Sequence, residues 1–360
     1  MMNHRRTPRR PTTLGPLLLT LLLTLTACAR APDTDRLTFQ AFGTLVDITV
    51  YPAGTHDLAR IESALTAELE SMHASWHAWA PGSLGRTNQL LASGGEFSAP
   101  PSVLPLIERG QELERLTDGL FNPALGRLIA AWGFHRDEPG GPPPSDAELQ
   151  ALLADPPRMA DIERLGVRLR GRHPDLQLDF GGLAKGLAVE RALDLLTTLG
   201  VEHAIVNAGG DLMTIGQPGT RAWRIGIRDP RGAGVLASIE LGPDEALFSS
   251  GDYERSYAWE GERIHHVIDP RSGRPSRGIA ATTVLHHDPA LADAAATTLM
   301  IAGPEQWPLY AQRLGVEVAL VVLADGVVEL TPAMESRVRF QREVDRRVRH
   351  AEATRERGLP

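Results

Sequence analysis

The chain has 360 residues, a formal net charge of −8, 35 glycines, 27 prolines and a single cysteine. One cysteine excludes an intramolecular disulfide, so the body must stand on its hydrophobic core. The acidic balance excludes a nucleic-acid partner gripped through its phosphates.

Arg5, Arg6, Arg9 and Arg10 precede the apolar run "LGPLLLTLLLTLTAC", which has export-signal length and is too short to span a bilayer comfortably. Because it ends in Leu25-Thr26-Ala27-Cys28, residues 1–27 are expected to be a lipoprotein signal peptide, Cys28 the lipidated residue and 28–36 a linker. A plain signal peptide with an incidental cysteine is the alternative. Removal of residues 1–27 takes away four arginines and no acids, which moves the formal charge from −8 to −12. The roughly 330 residues that remain suffice for one large domain or two moderate ones.

In chain order, "RLTFQAFGTLVDITVY" alternates apolar and polar residues and predicts one or two strands around Gly43. "HDLARIESALTAELESMHASW" and "SVLPLIERGQELERL" carry apolar residues at helical spacing, and "WAPGSLGRTNQLLASGGE" between them reads as a loop. "EPGGPPPSDAEL" is irregular, with Ser145 or Asp146 as N-cap of a short helix. "VRLR", "LQLDF", "HAIVNA", "DLMTIG", "AWRIGIRD" and "VLASIEL" are strand candidates, with one helix, residues 182–199, among them. Then come a strand ("IAATTVLH"), two helices ("ALADAAATTLMIA", "EQWPLYAQRLG") and a hairpin turning at Asp325-Gly326. The arginine-rich stretch 333–360 predicts a solvated helix with a frayed end, or else a surface for anionic lipid. These elements describe an α+β or α/β layered protein with a large, mostly antiparallel sheet system and no internal repeat.

Four segments carry residues fit for chemistry. In "LDFGGLAKGLAVERAL", Lys185 precedes Gly186 and no Ser or Thr follows it, so a Walker loop is excluded; the glycine spacing excludes a dinucleotide fingerprint. What survives is a carboxylate, Asp179, ahead of Gly181 and Gly182 and a helix N-terminus able to face an anion, or simply a tight turn packed through its glycines. In "NAGGDL", Asn207, Gly209, Gly210 and Asp211 fit either a hairpin turn or the approach of a flat ligand. In "RIHHVIDPRSGRP", adjacent histidines on an extended run point to opposite faces, so only one serves a given site; His266 is either a general base or an exposed residue beside a turn. In "ALADAAATTLMIAG", Asp293 and Thr297 share a helix face with alanines between them, a thin oxygen set that suits Mg²⁺, unless Asp293 only favours its own helix dipole. Zinc is excluded because no His/Cys spacing fits.

Taken in order, "FGTLVDITV", "WAPGSLGRTNQL", "TDGLFNPALGRLIAAWGF", "LDFGGLAKGLAVERA", "VNAGGDL", "SSGDYERSY", "HHVIDPRSGRP" and "ADAAATTLMIAG" resemble the ApbE family of FAD:protein FMN transferases, over about residues 38–330. The resemblance implies an α+β, T-fold-like protein of mostly antiparallel sheets with flanking helices, its transferase domain at 37–332 and a tail at 333–360. It implies a Mg²⁺-dependent enzyme that moves the FMN half of FAD to a threonine hydroxyl of an acceptor protein and releases AMP; the alternatives are an FAD pyrophosphatase giving FMN and AMP, and a lipoprotein that binds FAD without catalysis. Phe42 stands where the family usually has methionine beside the flavin; Trp79, Leu120, Phe121, Asn122, Asp179, Lys185 and Ile268 match cofactor contacts, with lysine at 185 replacing a glutamate of some members. Asn207, Gly209, Gly210 and Asp211 belong to the same implied cofactor set. Gly182, through its carbonyl, and Asp293 and Thr297, through their side chains, match Mg²⁺ ligands, while Ala296 falls where some members carry another aspartate. His266 and Asp179 are the candidates for relieving the attacking hydroxyl of its proton. The expected partners are FAD and periplasmic or exported acceptor flavoproteins such as respiratory subunits, with the enzyme lipid-anchored on the periplasmic side of the inner membrane.

Overall fold

The computed structural model describes residues 33–350; the expected signal peptide, Cys28 and the end of the arginine-rich tail lie outside them. Strands β1 (Asp35–Ala41) and β2 (Thr44–Tyr51) form a hairpin through Phe42-Gly43, both at positive φ (53° and 72°), a turn whose twist matches that of the paired strands. Helix α1 (Leu58–Trp76) begins where the Asp57 carboxylate accepts the Arg60 amide at 3.1 Å, and it buries Ile61, Leu65, Leu69, Met72 and Trp76 along one stripe.

The segment expected to be a loop after Trp79 contains a helix, α2 (Ser83–Ser93). Its glycines mark close approach and termination rather than disorder. A β-carbon on Gly82 or Gly85 would strike the Ala74 or Ala80 carbonyl oxygen, at 2.2 and 2.4 Å, and Gly94 ends the helix at φ 71°. Leu84, Thr87, Asn88 and Leu91 are its buried face, at helical spacing that the glycines obscured.

β3 (Phe97–Ser98), α3 (Leu104–Leu116), α4 (Gly126–Ala131) and α5 (Asp146–Ala154) follow, the last opened by a capping box of Ser145 and Glu148. β4 (Ile162–Leu165) and β5 (Arg168–Gly171) pair with β3 in a small sheet. The expected strand "LQLDF" is absent, apart from a single bridge between Leu125 and Gln177. A side chain takes the place of a neighbouring strand there: Asn88 accepts the Leu178 amide at 2.8 Å and donates to the Leu178 carbonyl at 3.0 Å.

After α6 (Ala184–Thr198) come β6 (His203–Ala208), β7 (Asp211–Ile215) and β10 (Ala246–Gly251) of the main sheet, with β8 (Trp223–Arg228) and β9 (Val235–Leu241), which pair in a separate small sheet, between β7 and β10. Two short hairpins, β11 (Ser256–Trp259) with β12 (Glu262–His265) and β13 (Ile268–Asp269) with β14 (Arg274–Pro275), precede β15 (Ile279–His286). Then come α7 (Pro289–Arg313), broken at Gly303 ahead of Pro304, β16 (Val318–Leu323), β17 (Val328–Leu330), α8 (Pro332–Arg337), β18 (Arg339–Phe340) and β19 (Arg346–Val348). The nine-stranded sheet runs β1-β2-β6-β7-β10-β15-β16-β17-β19 and is antiparallel except for its last pair.

Alternation along the strands places one set of side chains on each face. Val206, Phe248 and Val284 pack toward α1, α6 and α7; Ile205, Leu247 and Leu285 pack toward the three-stranded sheet β18-β9-β8. A third cluster joins Leu125, Leu128, Trp132, Phe134 and Leu149 to Ile264 and Ile268. The mixed α+β architecture with a large, mostly antiparallel sheet is the one expected. The described part of the arginine-rich stretch differs: within it only Pro332–Arg337 is helical, and β18 and β19 join the sheets. Its arginines are drawn in by carboxylates, Arg337 to Glu245 at 2.6 and 2.7 Å, Arg342 to Asp229 at 2.8 Å and Arg349 to Glu329 at 2.7 Å.

The contact of α6 with α7 depends on Gly186, where a β-carbon would lie 2.4 Å from the Pro289 carbonyl oxygen and 2.7 Å from the Ala290 Cα. Backbone cannot yield as a side chain can. Gly186→Ala is therefore expected to lower the unfolding free energy by ~1–3 kcal/mol in urea melts. Gly140→Ala, where no atom lies within 4 Å and φ is not positive, is expected to leave it nearly unchanged.

Candidate active site

The site forms where the start of α6 meets the first α7 segment, which is buried except at half-buried Thr297. Helix α6 has no capping side chain of its own. Its first amides are nevertheless occupied: Leu183 and Ala184 donate to the Phe180 carbonyl at 2.9 and 2.8 Å, and Gly186 donates to the Asp293 carboxylate at 3.0 Å. The helix terminus is thus no phosphate cradle. Asp293 caps α6 from a neighbouring helix, which also rules out the account in which it serves only its own helix dipole; Asp288 fills that position by accepting the Leu291 amide at 2.8 Å.

Asp293 is buried, and burial raises its carboxyl above the usual range, offset by Lys185 and by the amides of residues 186 and 185. One turn on, the half-buried Thr297 hydroxyl lies 3.1 Å from Ser250 Oγ. Gly182 faces it: a β-carbon there would lie 3.3 Å from Thr297 Oγ1 and 3.2 Å from the Phe121 ring. Gly182, Asp293 and Thr297 are therefore brought together, as the helical spacing and the resemblance predict.

Lys185 forms an ion pair with the buried Asp211, whose other oxygen accepts the Ser249 amide at 2.8 Å. Glu254 reaches solvent although protein surrounds it on most sides, so it stands on a cleft wall; its carboxyl is raised by burial, lowered by Lys185 and raised again by Asp293. Asp211, Asp293 and Glu254 thus gather around Lys185, with Arg228 also near Glu254. Among the described residues no three His, Cys, Asp or Glu side chains group as a metal site. A cation here would take a carboxylate, a hydroxyl and a carbonyl, a hard-oxygen set that fits Mg²⁺ and water rather than zinc.

Asp179 closes the near side. It accepts the Trp79 indole N–H at 2.9 Å and the Gly181 amide at 2.8 Å, and Trp79 in turn packs on His135 with ring centroids 5.6 Å apart. Phe42 stacks on Trp76 at 6.3 Å and belongs to a turn beside that of β6–β7, where Gly209 donates to the Leu45 carbonyl at 3.0 Å. Gly209 and Gly210 (φ 69° and 108°) are that two-residue turn, and Asn207 ties it by accepting the Gly210 amide at 2.7 Å. The hairpin reading of "NAGGDL" holds for these residues, and Asp211 alone reaches into the charge cluster.

His266 leaves β12 half-buried, edge-on to Phe134 at 6.2 Å, with Nδ1 3.2 Å from the Arg255 carbonyl. That carbonyl only accepts, so Nδ1 carries the proton and Nε2 keeps its lone pair. Burial first, then Arg255, His265 and Lys185, push its pKa down to about 3. His265 points the other way, buried, with Nε2 2.9 Å from the Ser276 carbonyl, so the two histidines do split between faces.

Other expected contacts lie apart from the cluster. Leu120 is buried in the core, and Asn122 uses its side chain inside its own turn, accepting the Ala124 amide at 2.9 Å and donating to the Pro157 carbonyl at 3.0 Å. The Ile268 side chain is buried in the third cluster. Sequence reading passed over Ser250, Glu254 and His135, none of which has a spacing that marks it. The quoted "SSGDYERSY" held the first two, and only the fold shows which of its polar groups face inward.

The ApbE family profile matches residues 42–320. An FAD:protein FMN transferase of Rhodobacter capsulatus is 42% identical over 310 residues, which are 86% of this chain and 59% of that protein; the chain thus spans under two thirds of that relative's length. An FAD:protein FMN transferase of Vibrio cholerae is 30% identical over 317 residues, 85% of this chain and 93% of that protein. The crystal structure of the ApbE protein from Thermotoga maritima aligns with a TM-score of 0.77 at 29% identity, covering 86% of this chain and 100% of that one. On these matches the chain belongs to the ApbE family.

Proposed function

We propose that the chain is an FAD:protein FMN transferase, moving the FMN half of FAD to a threonine hydroxyl of an acceptor flavoprotein and releasing AMP. The observation that carries this reading is the meeting of Gly182, Asp293 and Thr297 beside Lys185, with Phe121 against Gly182 and Trp79 bonded to Asp179 just ahead of it. The reading is supported by the names of the relatives, FAD:protein FMN transferases. Gly182, Asp293 and Thr297 are the residues that would hold Mg²⁺, which supplies positive charge where the pyrophosphate accumulates negative charge.

The chain's own residues do the rest. The acceptor oxygen attacks the FMN phosphorus, the bond from that phosphorus to the bridging oxygen breaks, and AMP departs with that oxygen. Lys185, fixed by Asp211, presents an ammonium to the phosphates. Trp79, fixed by Asp179, presents an aromatic face. Nε2 of His266 accepts the hydroxyl hydrogen and orients the nucleophile; with its pKa so low, it takes the proton only as positive charge develops on the attacking oxygen. We further place the enzyme on the periplasmic side of the inner membrane, anchored at Cys28 and acting on exported acceptors such as respiratory subunits. No described helix is long and apolar enough to cross a membrane.

Incubation with FAD, Mg²⁺ and a threonine-bearing acceptor is expected to add the mass of FMN to the acceptor; AMP release without that gain would mean hydrolysis, and unchanged FAD would refute both. Asp293→Asn keeps an oxygen for the Gly186 amide, so it is expected to melt near wild type yet lose about 10²-fold or more in kcat/KM. Retained activity at ordinary Mg²⁺ would sink the metal assignment.

His266 also sets a pH dependence. Its folded pKa of about 3 lies below the 6.5 of an ordinary histidine, so below that value the unfolded chain binds a proton that the folded chain refuses. Stability is full above about 6.5 and falls as pH drops toward 3. Urea midpoints are expected to be lower at pH 5 than at 7.5, with a smaller drop in His266→Gln.

A further inference from the structure

Two aromatic residues of the site, Phe42 and Trp79, come from separate loops, and the backbone of each is hydrogen-bonded to the same end of α1. The last turn of α1 carries His73, with His77 directly after it, four residues apart and therefore on one face. Their rings meet edge to face with centroids 6.0 Å apart. His73 Nδ1 accepts the Phe42 amide at 3.2 Å, and the His73 ring packs edge-on against Phe42 at 5.9 Å. His77 Nδ1 accepts the Trp79 amide at 3.1 Å and the Ala80 amide at 3.0 Å.

Neither amide is held by the strands. Phe42 sits in the β1–β2 turn at φ 53°, a left-handed conformation that a β-carbon disfavours, so its orientation needs an outside support. Trp79 lies past the end of α1, and its amide donates to the His77 ring rather than to a helix carbonyl. In each case the support is a neutral imidazole that carries its proton on Nε2.

We infer that His73 and His77 are positioning residues that set the two aromatic walls, Phe42 and Trp79, against the aromatic part of the cofactor. This rests on the reading that the cleft binds FAD. Trp79 carries the constraint onward, since its indole N–H is bonded to Asp179 at the start of the α6 segment. Phe42 carries it to Trp76, on which it stacks with planes 27° apart. One helix end thereby fixes the spacing of walls that lie far apart in sequence.

The test uses the full chain with FAD as probe, reading flavin fluorescence on titration together with steady-state kinetics. His73→Ala and His77→Ala are each expected to raise Kd and KM for FAD about fivefold, the effect of losing one net hydrogen bond, while kcat stays within about twofold. His73→Asn and His77→Asn retain an acceptor near the Nδ1 position and are expected to recover most of the affinity. Circular dichroism melts report whether each variant is folded. Wild-type protein that fails to bind FAD would overturn the functional reading and this inference with it. Wild-type binding with unchanged Kd in both alanine variants would overturn the inference alone. So would a joint fall in kcat and melting temperature that asparagine does not rescue, because that marks support of the fold rather than of the walls.

Discussion

The contact on which the site depends is a buried carboxylate at the crossing of two helices. Asp293 accepts the Gly186 amide, and that bond forms only because Gly186 has no side chain to hold α7 away. An uncompensated carboxylate in that position is costly, and its raised pKa expresses the cost. The amides of α6 offset part of it; nearby Lys185 offsets more. The same bond fixes the rotation of α7 so that Thr297, one turn on, faces Gly182 and Ser250. The bond that caps α6 is thus also the one that brings Asp293, Thr297 and Gly182 together.

Around this crossing the sheet acts as a ruler. Strands β7 and β10 pair at Leu212 and Leu247, which sets the Ser249 amide against Asp211 and so holds the carboxylate that holds Lys185. Arg255 works similarly at the far side. Its carbonyl fixes the tautomer of His266, and its guanidinium donates to the Phe134 and Arg136 carbonyls at 3.1 Å each, tying down the loop that carries His135 toward Trp79. The polar groups of the cleft are ordered mainly by backbone partners, which move less than side chains do.

Much of this was legible in the sequence because some physical constraints are local. Four-residue spacing put Asp293 and Thr297 on one face, alternation put His265 and His266 on opposite faces, and Ser145, one of two N-cap candidates, does cap its helix. The failures are equally local in origin. Gly82, Gly85 and Gly94 read as loop chemistry in "WAPGSLGRTNQLLASGGE", whereas two of them exist so that backbones can touch and the third so that a helix can stop. "LQLDF" has the composition of a strand but pairs only through one bridge, Leu125 to Gln177, while Asn88 takes both backbone groups of Leu178. The arginines after Pro332 read as a solvated tail because their partners lie outside that stretch: Glu245 and Asp229 at the ends of β10 and β8, and Glu329 on β17.

Ser250, Glu254 and His135 show a different limit, because nothing in their own segments distinguishes them from surface residues. Their significance is positional and arises when β10, the turn after it and the loop after α4 converge on α6. Phe42 makes the same point from the opposite direction. Its resemblance to a flavin-facing position was read from sequence, but not what orients it, since a backbone amide in a tight turn leaves no mark in composition. A cleft built on glycine backbone, buried carboxylates and imidazole acceptors advertises its chemistry in a few residue types and hides its geometry in contacts between segments a hundred residues apart, as between Gly186 and Asp293.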